Sequence, residues 1–181
     1  MKRIAITGGV AEGKSTILGY IKEKGLPVLS ADDVAKEVLS EDKFQKAVAE
    51  GLNLNLPLNR QDLRLLILED SAARKKLNHI LHPEILKRLL ASKISIIEVP
   101  LLFEAGVENS FNKIWVVTCG EEEQFRRLNE RLKDTVLAKK LIGTQIPTSE
   151  KCKYADLVFD TRNPDDFLRN QIKKALMTEG F

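Results

Sequence analysis

Cysteine is scarce in this chain, which also has no long apolar run and no marked excess of one charge. The two cysteines, Cys119 and Cys152, are far apart and outside any C-x-x-C pattern. This spacing argues against a disulfide framework and favours a reducing, cytoplasmic setting. No stretch approaches the roughly 18 consecutive apolar residues of a membrane span, and the first residues lack the apolar segment of a signal peptide. We therefore expect no membrane partner.

The balance of charges is nearly even, since 29 basic and 26 acidic side chains leave a formal net charge of +3. This mild excess suits a small anionic substrate, but it falls short of the basic surface of a nucleic-acid-binding protein. We expect no nucleic-acid partner and a monomer or weak homo-oligomer. The 181 residues, 43% of them hydrophobic, suffice for one domain with a core and a small inserted lobe.

Residues 8–15, Gly-Gly-Val-Ala-Glu-Gly-Lys-Ser, fit the phosphate-binding P-loop pattern G-x-x-x-x-G-K-[ST]. An apolar run precedes the loop and a helical pattern begins at Lys14, so backbone N–H groups and a helix N-terminus would face an anion. Lys14 would reach the β- and γ-phosphates, and Ser15 would ligate Mg²⁺. The alternative is an ordinary glycine-rich turn, but such a turn rarely matches the full P-loop pattern between a strand and a helix. The motif therefore predicts a nucleotide-binding protein. The predicted ATP contacts of the loop are Gly9, Val10, Ala11, Glu12, Gly13, Lys14, Ser15 and Thr16.

Short apolar runs alternate with helical patterns along most of the chain, which predicts a parallel sheet covered on both faces. The predicted strands are residues 4–7, 27–29, 94–99, 113–118 and 157–160. The predicted helices outside the central region are 14–24, 121–132, 136–143 and 164–177. Asn163 is the predicted N-cap of the last helix, and Pro164 its first residue.

The central region, residues 31–92, has an almost wholly helical pattern and no convincing strand. Residues 51–59 read as a linker, and Pro83 is expected to begin a new helix that runs to about Leu90. A block of helices between two sheet strands predicts a lobe that covers the substrate.

Asp32 directly follows the second predicted strand, at the edge where open α/β sheets bind ligands. We expect this strand to lie beside the P-loop strand, where the Asp32 carboxylate could accept the proton of an incoming hydroxyl group. The alternative is that Asp32 or Asp33 only caps the following helix. The P-loop favours the catalytic interpretation.

Three further side chains are candidates for metal or phosphate contacts. Glu98 ends the third strand and could hold Mg²⁺ through a water, or it could be a strand-end acid that faces solvent. Arg127 and Arg131 lie four residues apart on one helix face and could bind phosphates, with a solvated charged face as the alternative. His79 and His82 have a spacing compatible with metal ligation, but no third ligand supports such a site.

The motifs of a GTPase switch are missing, because no Asp is followed by Gly three residues later and Trp115 stands where the guanine-specificity Asp belongs. The composition also disfavours an ATPase that acts on nucleic acids. A small-molecule or nucleotide kinase is therefore favoured, and a nucleotide-dependent switch or binding protein is the alternative from another class.

Several spaced motifs resemble the dephospho-CoA kinase family along nearly the full chain. They are Thr7-Gly8-Gly9, Ser30-Ala31-Asp32, Arg60 with Leu63 and Arg64, Leu81-His82-Pro83, Pro100-Leu101-Leu102-Phe103-Glu104, Gln124 with Arg127 and Arg131, Gln145, and Ala155-Asp156. Each motif is short, and their order and spacing carry the resemblance. It implies an α/β fold like that of P-loop nucleoside monophosphate kinases, with about five parallel strands. The implied parts are a nucleotide-binding core at 1–30 and 93–181, a helical CoA lobe at 31–92, and a lid at about 132–150.

The same resemblance implies a kinase that uses ATP and Mg²⁺ to phosphorylate the ribose 3′-hydroxyl of dephospho-CoA, the last step of coenzyme A synthesis. By position, Asp32 would be the catalytic base, and Lys14 would neutralise charge on the transferring group. The other implied contacts are Arg127 and Arg131 with ATP, Arg60, His82 and Leu102 with the substrate, and Ser15 and Glu98 with the metal.

Some positions depart from the pattern of that family. Ala11 and Glu12 stand where the P-loop usually has Gly and Ser, and Glu12 adds a negative charge to a loop that binds phosphates. Its side chain is therefore expected to point away from the nucleotide. Ser30 replaces an acid, and Thr161-Arg162-Asn163 replaces an Asn-x-Gly segment.

Overall fold

The computed structural model describes residues 2–181 and contains one five-stranded sheet. Its strands are β1 (Ile4–Thr7), β2 (Val28–Ser30), β3 (Ile96–Glu98), β4 (Lys113–Thr118) and β5 (Leu157–Asp160). They lie in the order β2-β3-β1-β4-β5. β1 pairs in parallel with β3 and β4, and β4 pairs in parallel with β5. The predicted α/β fold with a parallel sheet of about five strands is confirmed.

The helices within the described residues are α1 (Lys14–Glu23), α2 (Ala31–Ser40), α3 (Asp42–Leu52), α4 (Arg60–Glu69), α5 (Ser71–Ala91), α6 (Glu121–Leu132), α7 (Thr135–Gly143), α8 (Thr148–Cys152) and α9 (Asp165–Glu179). A 3₁₀ turn covers Glu108–Ser110. Among these helices, none combines the length and apolar character that a membrane crossing requires.

The sheet is buried on both faces, as a parallel sheet requires. On one face, Ile4, Ile6 and Trp115 join a core cluster that includes residues of α1 and α9. The alternating residues Ala5 and Val116 point to the other face and are also fully buried. Apart from Ser30 at the end of β2, the sheet belongs to a compact unit made of the residues up to Leu29 together with Lys93–Phe181.

The order of the strands corrects one expectation. The neighbours of β1 are β3 and β4, so β2, which leads to Asp32, is not beside the P-loop strand. The intervening strand is β3, and the register pairs its last residue, Glu98, with Ile6 of β1. The adjacent strand-end acid is therefore Glu98. The chain moves from β1 to one side of the sheet and later to the other, which makes the end of β1 a switch point where ligands bind.

The second compact unit is Ser30–Ser92 and consists of helices. α5 packs against α2, α3 and α4. The prediction that Pro83 begins a new helix is wrong, because Pro83 lies inside α5. A proline removes one backbone hydrogen bond from a helix interior, but Leu77, Leu81 and Leu89 on either side of it are buried, and this packing holds the two halves together.

The start of α9 also differs from the prediction, since the helix begins at Asp165 and Pro164 occupies the N-cap position. Asn163 is not the cap. Its side-chain amide donates a hydrogen bond to the carbonyl oxygen of Asp160 at 3.0 Å instead, which closes the turn after β5.

Candidate nucleotide-binding site

The P-loop connects β1 to α1, as the motif predicts. Gly13 has a φ of 88° and forms the N-cap of α1, a left-handed conformation that glycine adopts without strain. The ammonium of Lys14 donates hydrogen bonds to the carbonyl oxygens of Gly8 at 2.9 Å and Gly9 at 2.7 Å. The cation therefore lies against the loop. Ser15 and Thr16 follow in the first turn of α1, and both are exposed.

Ala11 is in the left-handed region with a φ of 62°, which is unfavourable for a residue with a Cβ atom. We expect Ala11→Gly to raise the free energy of unfolding by about 1 kcal/mol, because glycine removes this strain. Urea unfolding checks the effect. The control is Ala35→Gly in the middle of α2, which should lower the same quantity by about 1 kcal/mol. Equal losses in the two variants would contradict the prediction.

Glu12 points into the protein and is only 1% exposed. Its Oε2 atom accepts hydrogen bonds from the backbone N–H of Gly9 at 2.5 Å and from the hydroxyl of Thr148 at 2.6 Å. The hydroxyl of Thr118 donates to Oε1 at 3.4 Å. Burial raises the pKa of Glu12, while the bonds from Thr148 and Gly9, followed by the charges of Lys14 and Lys151, oppose the rise. The negative charge is thus enclosed by donors on the inner side of the loop.

Glu12→Gln should gain stability relative to the wild type as the pH rises above the ordinary carboxyl pKa of 4.5. When the pKa of a carboxyl group is higher in the folded than in the unfolded protein, the group stabilises the fold fully at a pH below its unfolded pKa. This stabilisation is lost as the pH rises through its folded pKa. Glutamine stays neutral and undergoes no such loss. Urea unfolding of both proteins between about pH 4 and pH 8 measures the difference in their free energies of unfolding. A difference that stays the same at every pH would refute the raised pKa of Glu12.

Side chains from outside the loop hold its backbone. The amide of Gln124 donates to the carbonyl oxygen of Val10 at 3.0 Å, and the N–H of Val10 donates to Oε1 of Gln145 at 2.9 Å. The hydroxyl of Thr161 donates to the carbonyl oxygen of Glu12 at 2.9 Å. The two glutamines belong to the motifs of the sequence analysis, whereas the contact of Thr161 had no sequence signal beyond its place in a departing segment.

Arg127 reaches the loop through Thr161. It donates to the hydroxyl of Thr161 at 2.9 Å and to its carbonyl oxygen at 3.2 Å, and its Nε donates to Glu123 at 2.7 Å. Hydrogen bonds from Arg126 and then Arg127 lower the pKa of Glu123 to about 2. Arg131 lies one turn further on and is exposed. The structure thus places Arg127, but not Arg131, in the hydrogen-bond network beneath the loop.

Asp32 is exposed in the first turn of α2. Neither Asp32 nor Asp33 is the N-cap, because Ser30 occupies that position. Asp33 instead pairs with Lys36 at 2.6 Å. The alternative role of capping therefore does not explain Asp32.

The implied substrate contacts fall in both units. Arg60 is the exposed first residue of α4. His82 lies in α5, and burial lowers its pKa, which favours the neutral imidazole. Leu102 follows β3 and is fully buried, so in this structure it is a core residue.

Glu104, in the segment after β3, and Lys151 of α8 form a buried ion pair that the sequence analysis missed. Their Nζ and Oε1 atoms are 2.8 Å apart, and the lysine side chain is 0% exposed. The contact lacks the alignment of a hydrogen bond. Oε1 also accepts from the N–H of Ile146 at 2.9 Å. α8 was not predicted because five residues are too few to show a helical period.

Comparison with known proteins shows similarity to dephospho-CoA kinases in both sequence and structure. The family model for dephospho-CoA kinase matches residues 2–165. A dephospho-CoA kinase of Fusobacterium nucleatum is 34% identical over 183 residues, which cover 94% of this chain and 95% of that protein. The crystal structure of TT1252 from Thermus thermophilus is similar, with a TM-score of 0.79, 27% identity, and coverage of 99% of this chain and 98% of that one. The structure of dephospho-CoA kinase from Campylobacter jejuni gives a TM-score of 0.69 and 25% identity, covering 98% of this chain and 96% of that one.

Proposed function

Because this chain belongs to the dephospho-CoA kinase family, we propose that it transfers the γ-phosphoryl group of ATP to the ribose 3′-hydroxyl of dephospho-CoA. The products are coenzyme A and ADP. The observation that supports the proposal most is the P-loop at the end of β1, with the Lys14 ammonium against its carbonyl oxygens. Phosphoryl transfer needs such a phosphate cradle and cation, together with a group that handles the proton of the nucleophile, and the proposal gives this last task to Asp32.

Each of these groups has a definite task. Backbone N–H groups of the P-loop bind the phosphates, and the Lys14 ammonium exchanges its carbonyl acceptors for phosphate oxygens and neutralises their charge. Asp32 orients the acceptor hydroxyl and removes its proton as the new P–O bond forms. Arg127 supports the loop through Thr161, and Arg131 is a candidate for a direct phosphate contact.

Ser15 and Glu98 would hold Mg²⁺. A hydroxyl and a carboxylate are the hard oxygen donors that this ion prefers, with water and phosphate completing its shell. The pairing of Glu98 with Ile6 supports this choice, because it brings the carboxylate-bearing strand end next to the strand that leads into the loop. When bound, the ion draws negative charge from the phosphate oxygens.

The helical unit supplies the binding site for dephospho-CoA in this proposal, with Arg60 and His82 as contacts. Residues 132–150 serve as the lid over ATP. Exclusion of water by the lid would protect ATP from hydrolysis. We propose a cytoplasmic enzyme that acts as a monomer or weak homo-oligomer without nucleic-acid or membrane partners.

A coupled assay of ADP release with a panel of acceptors tests the function. We expect the highest kcat/KM with dephospho-CoA and little turnover with nucleoside monophosphates or without an acceptor. Turnover of a nucleoside monophosphate but not of dephospho-CoA would replace the proposal by another small-molecule kinase. Tight GTP binding without turnover of any acceptor would favour a switch.

A further inference from the structure

The carboxylate of Glu12 makes buried hydrogen bonds that phosphate binding by itself does not require. One oxygen atom, Oε2, accepts from both Gly9 at 2.5 Å and Thr148 at 2.6 Å. The first bond closes a ring within the P-loop, and the second joins the loop to a segment 136 residues later. A Cβ atom on Gly9 would lie 2.4 Å from Gln124, 2.9 Å from Glu12 and 3.0 Å from Thr148. The bridge therefore fits closely around the bare backbone of Gly9.

Residues 145–151, here called the strap, contact the P-loop at a second point. Gln145 accepts a hydrogen bond from the N–H of Val10 at 2.9 Å. At its other end, Lys151 forms the buried ion pair with Glu104. The strap is thus fixed both to the P-loop and to the segment after β3, and Thr148, itself 4% exposed, lies between these contacts.

We propose that Glu12 is a positioning residue for nucleotide binding, whose carboxylate sets the P-loop conformation by bridging the N–H of Gly9 to the hydroxyl of Thr148 in the strap. Its side chain acts through the loop backbone and does not touch the phosphates. The choice of ATP as the ligand rests on the proposed function. The bridge itself is independent of the acceptor that the enzyme phosphorylates.

The bridge depends on an acceptor oxygen and not on the negative charge. A carboxylate beside Lys14 opposes the binding of phosphates, so its charge cannot be what favours ATP. Glutamine has the same shape, and its Oε1 atom can accept from Gly9 and Thr148 in place of the carboxylate oxygen. Its amide nitrogen then faces the hydroxyl of Thr118, which can accept a hydrogen bond. Glu12→Gln therefore separates geometry from charge.

Isothermal titration with ATP and Mg²⁺ tests the proposal on the full chain. We expect Glu12→Ala to raise the Kd for ATP by roughly tenfold or more and Thr148→Val by roughly three- to tenfold, since each change leaves a buried hydrogen-bonding group of the bridge without its partner. Glu12→Gln and Thr148→Ser should each remain within about threefold of the wild type, because each keeps the bridging group. Thr178→Val, the same change at an exposed position of α9, is the matched control and should not change the Kd.

Kinetics distinguish positioning of the P-loop from a general structural role. The KM for ATP should rise in Glu12→Ala, while the KM for dephospho-CoA stays unchanged. The double variant Glu12→Ala with Thr148→Val should bind ATP no more weakly than Glu12→Ala alone, because both changes remove one bridge.

Two results would overturn the proposal: ATP binding by Glu12→Ala at wild-type strength, or an equal loss in Glu12→Gln and Glu12→Ala. If Glu12→Ala does not fold, the pair Thr148→Val and Thr148→Ser decides, and equal affinities in that pair would refute the bridge. Failure of the proposed function has a different signature, since the wild type would then bind ATP and leave dephospho-CoA unchanged.

Discussion

Asp32→Asn should lower the kcat for phosphorylation of dephospho-CoA by about 10²- to 10⁴-fold, the usual contribution of a general base. Asparagine keeps the size of the side chain but cannot take up the proton of the acceptor hydroxyl. Asp32 is exposed and is not the N-cap of α2, so the change should leave folding and the Kd for ATP nearly unaltered. Single-turnover kinetics with saturating ATP, together with titration of ATP binding, measure both quantities.

The neighbouring residue supplies the control for this experiment. Asp33 occupies the same helical turn but pairs with Lys36. Asp33→Asn should therefore change kcat by no more than about threefold, as expected for a surface ion pair of small energy. Near-normal turnover in Asp32→Asn, or equal losses in the two variants, would remove Asp32 from the mechanism.

Glu104→Leu should lower the free energy of unfolding by about 3–5 kcal/mol, the effect of leaving one member of a buried ion pair without its partner. Lys151 has a side chain that is 0% exposed, and Glu104 is its counterion at 2.8 Å. The variant must bury the ammonium without its counterion, which is unfavourable. Urea unfolding at neutral pH gives the difference.

The reverse change should be milder. In Lys151→Met the Oε1 atom of the remaining carboxylate still accepts from the N–H of Ile146, and this backbone hydrogen bond offsets part of the loss. The double variant should recover most of the stability lost in Glu104→Leu, because replacing both ions by apolar side chains is often neutral. Additive losses in the double variant would show that the two residues do not act as a pair.

Much of the fold follows from local patterns in the sequence. The predicted spans 4–7, 113–118 and 157–160 are β1, β4 and β5, because each is a compact apolar run bounded by turns. The order of the strands did not follow. The spacing along the chain suggested that β2 would lie beside β1, but β3 occupies that place, and no local pattern records which strands pair.

In the candidate site too, local features were predictable and contacts between distant residues were not. The P-loop was predictable because all its parts lie within eight consecutive residues. The contacts of Glu12 with Thr148 and of Thr161 with Glu12 join residues 136 and 149 positions apart, and they depend on the fold. The sequence showed only that an acid in this loop must point away from the phosphates. The structure adds what it contacts, and burial with three hydrogen-bond donors accounts for a residue that would otherwise oppose nucleotide binding.

The central claim, that this chain phosphorylates the 3′-hydroxyl of dephospho-CoA, is tested most directly by locating the transferred phosphoryl group. The wild-type protein is incubated with Mg²⁺, γ-labelled ATP and dephospho-CoA, and the product is analysed by ³¹P NMR and mass spectrometry. We predict one new phosphomonoester that carries the label on the ribose 3′-oxygen and forms in equal amount with ADP. Label in inorganic phosphate alone, or on another position of the acceptor, would contradict the account.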